Sequence, residues 1–384
     1  MHTIAPSWLP SRFLPRASTA AALVPLSHRR HYACQIHHPT KLGQLRAKLR
    51  AFGQGHIELD LCHSPGLALL TLSNPTKHNA LTGKMMAELA DCVDLLEEAT
   101  RDSTSPAGHS ASVSTMAHGN TTSVLPELHP DSCLVLKSKG TILQKLDQQH
   151  LLALQGLVGI IVTGAQQKSY CAGLDLSAAK TTLLTPAAGA EMSALMVSTL
   201  TRFMRLPVLT IAAIEKAAIG GGAEMTTFCD HRCLAEKAKV QFVQTQMGVV
   251  TGWGGASRLL GIVPRSQALR LLASAEPIKG GQEALDSGFA QVVSPAGEAV
   301  QAATEYMQQY VWEIRPTAED HDGDQSPGAR RCIAAVRAMK KIVSFGLDHD
   351  RIERVSELEK DLFKQLWGGP DNLARVEAAS SKKK

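Results

Sequence analysis

Ile219-Gly220-Gly221-Gly222-Ala223-Glu224 comes after the apolar run Val208-Leu-Thr-Ile-Ala-Ala-Ile214 and precedes Met225-Thr-Thr-Phe-Cys229. The apolar run is too short for a free-standing helix and has the texture of a strand buried on both faces. Met225 to Cys229 reads as the opening of a helix. Three glycines at a strand-to-helix corner allow positive φ and let a ligand approach the main chain without meeting a Cβ. The unpaired N–H groups of the first helical turn and the positive end of its dipole then face the bound group. An acyl oxygen gaining negative charge suits such a corner, and Glu224 holds a carboxylate beside it.

A glycine turn alone can simply pack a helix closely on a strand. It is also no dinucleotide fingerprint, because Gly220 to Gly222 do not give G-x-G-x-x-G. The functional reading gains from a second corner upstream. Leu157-Val-Gly-Ile-Ile-Val-Thr163 is another buried strand, followed by Gly164 and by Ser169-Tyr-Cys-Ala-Gly-Leu-Asp-Leu176, with Gly173 at the tip and Asp175 placed to cap the next turn. Two such corners could offer two N–H donors to one oxygen.

Tyr170-Cys-Ala-Gly-Leu-Asp-Leu176, Gly220-Gly-Gly-Ala-Glu224 and Gly252-Trp-Gly-Gly-Ala-Ser-Arg258, in this order and spacing, resemble the enoyl-CoA hydratase/isomerase (crotonase) superfamily. The likeness runs from about Ile57 to about Asn372. Within the superfamily, Thr199 to Pro207, Gly222 to Thr227, Trp253-Gly-Gly255 and Leu366-Trp-Gly-Gly-Pro-Asp-Asn-Leu373 are most similar to the ethylmalonyl-CoA decarboxylase branch.

The resemblance implies an α/β fold built as a crotonase-like spiral of ββα units, with a C-terminal helical region that makes trimers or hexamers. It implies an acyl-CoA substrate, so that coenzyme A arrives with the substrate and no separate cofactor or metal is expected. Carried over residue by residue, the oxyanion donors are the N–H groups of Leu174 and Gly221. Glu224 falls on one of the two acidic positions of the hydratases, and Gln246 is matched with the other. The turn from Lys77 through Ala80 and Leu81 is expected against the adenosine and pantetheine, with Ala172, Gly173, Asp175 and Leu176 completing the coenzyme A contacts.

Hydration in the hydratase manner uses two carboxyl groups, one orienting water and one moving a proton. An amide at the second position disfavours both hydration and isomerisation. Decarboxylation asks less of a base: the α-carboxylate leaves as carbon dioxide and the electrons drain into the oxyanion hole, where each donor is worth roughly 3 kcal/mol. The expected reaction is therefore decarboxylation of a short branched malonyl-type acyl-CoA, ethylmalonyl-CoA or methylmalonyl-CoA, as metabolite repair. The alternatives are an enoyl-CoA hydratase or isomerase of fatty acid oxidation, and a non-catalytic acyl-CoA-binding or scaffolding protein.

Composition sets the outer limits. The chain has 384 residues and is 44% hydrophobic and 20% charged, enough for a full core. Its net charge of +5 is concentrated at one end: eight of the 40 bases precede the first acid, Glu58. The remainder carries 32 bases against 35 acids, which gives no footprint for nucleic acid. No apolar stretch approaches the ~20 residues that span a bilayer.

Residues 1–50, basic and free of acids, read as a mitochondrial transit peptide or a disordered leader, giving a matrix location with the cytosol as the alternative. The crotonase-like core is placed at residues 56–312, with a disordered insert at about 101–155 where Ser, Thr, His, Gly and Pro dominate up to Pro130. The C-terminal helical region is placed at 328–376. The eight cysteines have no framework spacing and read as reduced thiols. Cys229-Asp-His231-Arg-Cys233 lacks a second pair to complete a metal site.

Overall fold

The computed structural model describes residues 39–100, 135–137, 148–167, 169–180, 183–311 and 333–346, and, beyond these, residues 360, 361, 363, 364, 367–369, 372, 373, 376, 377 and 380. In chain order the elements are α1 (Pro39–Arg50), β1 (His56–Ser64), β2 (Leu67–Ser73), α2 (Gly83–Ala99), β3 (Val135–Lys137), α3 (Gln148–Gln155) and β4 (Gly159–Gly164). Next come α4 (Leu176–Ala179), α5 (Pro186–Arg205), β5 (Leu209–Ile214), β6 (Ala217–Ile219), α6 (Gly221–Thr226), β7 (His231–Ala235) and β8 (Lys239–Gln241). The remainder is α7 (Gly255–Leu259), α8 (Arg265–Ala273), β9 (Ile278–Lys279), α9 (Gly280–Asp286), β10 (Val292–Ser294), α10 (Ala299–Val311) and α11 (Ile333–Gly346).

The chain winds as an α/β spiral. A seven-stranded sheet has the order β10-β7-β5-β4-β2-β1-β3, and a three-stranded sheet the order β6-β8-β9. Consecutive strands alternate between them: β5 goes to the large sheet and β6 to the small, then β7 to the large and β8 to the small. In the large sheet β2, β4, β5, β7 and β10 run parallel to one another, which requires crossovers.

Strand periodicity divides the core. Ile160 and Val162 of β4, with Ala212 and Ile214 of β5, point to the face packed by α2 and α5. Ile161, Ile211 and Ala213 point the other way, onto Ala303, Met307 and Val311 of α10. A central strand buried on both faces must be apolar at every position, which explains the unbroken runs in the sequence. The N-terminal end of α10 is held by Glu215, whose carboxylate accepts from the N–H groups of Gly297 at 2.5 Å and Ala299 at 3.2 Å. Thr82 caps α2 through Met85 N, and Asp175 caps α4 through the N–H groups of Ser177 and Ala178.

Two boundaries differ from the sequence expectation. The expected leader takes in residues up to 50, but Pro39–Arg50 is a helix docked on α2 and α5. Leu49 is buried in the core, and Lys84 N donates to Phe52 O at 2.8 Å just beyond the helix. Arg50 meets Asp91 at 2.5 Å, Arg46 bridges Asp91 and Asp94, and Lys48 pairs with Glu191 at 2.9 Å. Arg202 joins from α5, contacting Asp94 at 2.6 Å and Glu97 at 2.8 Å. Burial alone would raise the Asp94 carboxyl, but Arg46 and Arg202 outweigh it and hold it below its ordinary value. Arg46 and Arg50, which read as leader charge, are thus partners for the acids of α2.

The insert expected to be disordered at about 101–155 contains two ordered elements. Val135–Lys137 adds an antiparallel edge strand to β1, and Gln148–Gln155 forms a helix. The expectation for residues 1–38, 101–134 and 138–147 falls outside the described residues.

The helix α1 makes a testable contribution. A chain beginning at Ala51 should melt about 5–10 °C below one beginning at Pro39, because it loses a buried leucine and leaves Asp91 and Asp94 short of cations. Differential scanning calorimetry of the two chains would check this, and equal melting temperatures would show that α1 is a passive appendage.

Candidate active site

The two glycine corners meet. Cys171 N donates to Ala217 O at 3.1 Å and Ile219 N to Cys171 O at 2.9 Å, a parallel bridge that lays the Gly173 loop along β6. Gly173 has φ +87°, and a Cβ there would lie 2.7 Å from Ile219 O and 3.1 Å from Gly221 N. On its other side Leu174 bridges to Leu81: Leu81 N donates to Gly173 O at 2.7 Å and Asp175 N to Leu81 O at 2.9 Å. Since neighbouring amides on an extended chain alternate in direction, the N–H of Leu174 points away from Leu81, toward the triple-glycine corner. Gly221 opens α6, so its N–H is one of those a helix leaves without an internal partner.

A cavity of about 230 Å³ lies at this junction, with Ala172, Gly173, Leu174, Gly221 and Glu224 in its wall. Trp253 covers Gly221 so closely that a Cβ at that glycine would fall 2.2 Å from the indole. Met192, Met247 and Val249 make much of the remaining wall apolar.

Glu224 is the buried charge of the site, 2% exposed. Its Oε1 accepts from Gln244 Nε2 at 2.8 Å and Gly252 N at 3.3 Å, and its Oε2 from Trp253 N at 2.8 Å and Gly255 N at 3.0 Å. Burial raises its carboxyl above the ordinary value, opposed by these same donors. Gly255 is required here, since a Cβ would fall 2.5 Å from Glu224 Cγ.

The carboxamide facing Glu224 is Gln244, where the family resemblance places Gln246. Gln246 is exposed on the tight turn Thr245–Met247. That turn repeats every three residues, so Gln244 and Met247 face the cavity while Thr245 and Gln246 face outward.

The remaining expected contacts separate into two sets. Ala172, Gly173 and Leu176 line the cavity with Leu174 and Gly221. Ala80 and Leu81 are buried behind it, and Leu81 acts through its backbone pairing with the Leu174 segment. Asp175 is spent on the cap of α4, and Lys77 ends an exposed turn, Pro75–Lys77, away from the wall. Asn79 anchors that turn through its carboxamide, which donates to Ala165 O at 3.0 Å and Ser169 O at 2.7 Å.

Sequence reasoning gave no role in the site to the C-terminal segment. Phe363, Trp367, Asn372 and Val376 complete the cavity wall from the same chain. Phe363 and Trp367 stack with centroids 5.0 Å apart. Gly252 and Gly189 make room for them, because a Cβ at either would enter the Phe363 or the Trp367 ring. Asn372 donates to Met247 O at 3.1 Å and accepts from Gly368 N at 2.9 Å. Trp367 Nε1 is hydrogen-bonded to Leu183 O. The available signal was Leu366 to Leu373, two bulky apolar groups beside two glycines, a composition that suits close docking. The α11 helix also returns to its own body, where Lys340 pairs with Asp230 and Arg337 donates to Leu157 O at 2.7 Å.

Cys92, Cys171, Cys229 and Cys233 are buried thiols, with Cys171 and Cys229 pushed up to about 12 by burial. Neither is poised as a nucleophile. Among the described residues no group of three His, Cys, Asp or Glu side chains could hold a metal, and no helix is long and apolar enough to cross a membrane.

Comparison with known proteins accords with this geometry. Residues 149–320 match the family described as enoyl-CoA hydratase/isomerase. An ethylmalonyl-CoA decarboxylase of Rattus norvegicus is 32% identical over 336 residues, covering 87% of this chain and 86% of the relative. That of Danio rerio is 31% identical, covering 88% of each chain. Among solved structures, an enoyl-CoA hydratase/isomerase from Mycobacterium paratuberculosis superposes with a TM-score of 0.57 at 16% identity, covering 84% of this chain and 97% of that one. An enoyl-CoA hydratase from Bacillus anthracis gives 0.52 at 20% identity, covering 85% and 96%. These structural likenesses speak for the fold. With relatives above 30% identity along most of both lengths, on a spiral of alternating sheets with two joined glycine corners, the chain belongs to the enoyl-CoA hydratase/isomerase (crotonase) family of acyl-CoA enzymes.

Proposed function

We propose that this enzyme decarboxylates a short branched malonyl-type acyl-CoA, with ethylmalonyl-CoA as the preferred substrate and methylmalonyl-CoA the second. The observation that carries the reading is the polar inventory of the cavity. Besides backbone N–H groups at Leu174 and Gly221, its wall offers one carboxylate, Glu224, one carboxamide facing it, Gln244, and the already engaged amide of Asn372. No lysine, arginine or histidine is among the described wall residues.

A thioester oxygen held by the two N–H groups can accept charge as an enolate, stabilised by fixed donors that need no reorganisation. An α-carboxylate in this largely apolar cavity has lost most of its water and meets no cation among the described wall residues, which raises its energy relative to neutral carbon dioxide. The Cα–carboxyl bond breaks, its electron pair enters the enolate, and Cα takes a proton from the Glu224 side. The named relatives support the choice of acyl group, and the modest cavity supports a short one. Hydration fits less well, because the partner of Glu224 is an amide that neither gives nor takes a proton. The acid-free basic stretch ahead of Pro39 supports a mitochondrial location. Met339 and Val343, exposed on α11, support assembly into a homo-oligomer.

The test is to incubate the full chain with ethylmalonyl-CoA, methylmalonyl-CoA and crotonyl-CoA and track products by mass spectrometry. Loss of carbon dioxide from the first two, faster from the first, is expected. Turnover of crotonyl-CoA alone would replace the proposal with hydration. Tight binding of all three without turnover would favour a binding protein.

A further inference from the structure

Glu224 and Gln244 are arranged in a way that does not suit the substrate just proposed unless both change together. An ionised carboxylate has about four acceptor positions, and four donors fill those of Glu224. Because a carboxylate only accepts, the arm of Gln244 that meets it is the NH2. The other arm, Gln244 Oε1, is buried in a residue only 9% exposed and has no hydrogen-bond partner among the described residues. It is an acceptor awaiting a donor, in a cavity whose described wall carries no cation. A malonyl-type carboxylate is itself an acceptor. Placed against the Gln244 amide as it stands, it would meet a second acceptor, an arrangement that costs the desolvation of both.

A half-turn of the Gln244 amide removes the conflict. Nε2 then donates to the substrate carboxylate, while Oε1 faces Glu224 and is satisfied once that carboxyl carries a proton to donate. Resting on the decarboxylase reading, we propose that Gln244 is a two-position relay: binding of the substrate carboxylate turns its amide and loads Glu224 with a proton from solvent. That proton is the one later delivered to Cα. Bond breaking releases carbon dioxide and leaves the electron pair on the enolate; Glu224 gives up its proton as the new C–H bond forms, and Gln244 turns back. The sum is acyl-CoA carboxylate plus one proton giving acyl-CoA plus carbon dioxide, with the proton taken up at binding.

The surroundings allow this. The groups facing Glu224 are the N–H groups of Gly252, Trp253 and Gly255 and the Gln244 amide, and Glu224 is the one titratable side chain in the described wall. Burial already lifts its carboxyl toward the neutral form. Gln244 is a positioning residue in this scheme, acting through Glu224 and through the substrate carboxylate.

Calorimetric titration of the full chain tests the relay. The ligands are an ethylmalonyl-CoA analogue with the thioester carbonyl reduced to methylene, which cannot decarboxylate, and butyryl-CoA, which has no carboxylate. Each is titrated near neutral pH in two buffers of different ionisation enthalpy. About one proton should be taken up with the carboxylate ligand and none with butyryl-CoA, and affinity for the former alone should fall by up to about tenfold per pH unit. Gln244→Leu should lose the difference in uptake. Equal uptake by the two ligands in a protein that still releases carbon dioxide would overturn the relay alone. Uptake specific to the carboxylate ligand, without turnover of any malonyl-type ester, would support the relay as a carboxylate-binding device and overturn the decarboxylase reading.

Discussion

Glu224→Ala should lower turnover of the preferred acyl-CoA by about a thousandfold, within the range ordinarily lost with a positioned proton donor. Single-turnover release of carbon dioxide would measure it. The same substitution should also destabilise the fold. The carboxylate accepts from Gly252, Trp253, Gly255 and Gln244, and removing it leaves those buried donors facing a void. Unpaired donors cost about 1–3 kcal/mol each, partly recovered by water entering the space, so a net loss of roughly 3 kcal/mol is expected by denaturant titration. Glu224→Gln separates the two effects imperfectly, because its NH2 would be forced against N–H groups. Turnover within tenfold of the parent in either variant would remove Glu224 from the proton step, whatever the stability.

Gly221→Ala should cost about 10²–10³ in kcat, comparable to losing one oxyanion donor. Gly221 does not have a positive φ, so alanine brings no backbone penalty there. Its Cβ instead falls 2.2 and 2.5 Å from two carbons of the Trp253 ring, and either the indole or the corner must move. A displacement of the N–H by about 1 Å can cost about a hundredfold. The double variant Gly221→Ala/Trp253→Leu should recover part of the loss, since the smaller side chain relieves the contact, and steady-state kinetics of the four proteins gives the coupling directly. Failure of the second substitution to restore any activity would point to the amide direction itself, rather than the indole, as what alanine disturbs. Gly220→Ala is a useful contrast: φ +57° makes it strained, yet its Cβ would meet only Val243 at 3.4 Å.

Both substitutions fall on residues that stand out in the bare sequence. Glycine at 173 and 220 marks a positive φ, a backbone requirement set locally and so legible in the sequence, whereas glycine at 221 and 222 makes room for the Trp253 indole and for Cys171 O. The strands are legible for a related reason. Val208 to Ile214 and Leu157 to Thr163 are apolar at nearly every position because both of their faces are covered.

The register of Gln244 against Gln246 is not legible. Two glutamines two residues apart differ only in which side of a single tight turn they occupy, and the turn is fixed by Gly248 at φ +71° and by the docking of Met247. The helix α1 escapes a reading from composition, because charge alone cannot tell a basic leader from a basic helix. What distinguishes them is Asp91 and Asp94, more than 40 residues away in sequence.

The sequence by itself determined the two glycine corners, the buried strands between which they sit, and the acid at 224, because each of these is a short-range demand of backbone geometry or burial. Only the tertiary structure decided that Gln244 is the partner of that acid, that Phe363 and Trp367 close the cavity, and that Pro39–Arg50 belongs to the body. Those facts depend on contacts between segments far apart in the chain, whose formation is governed by packing and charge pairing that no local pattern encodes.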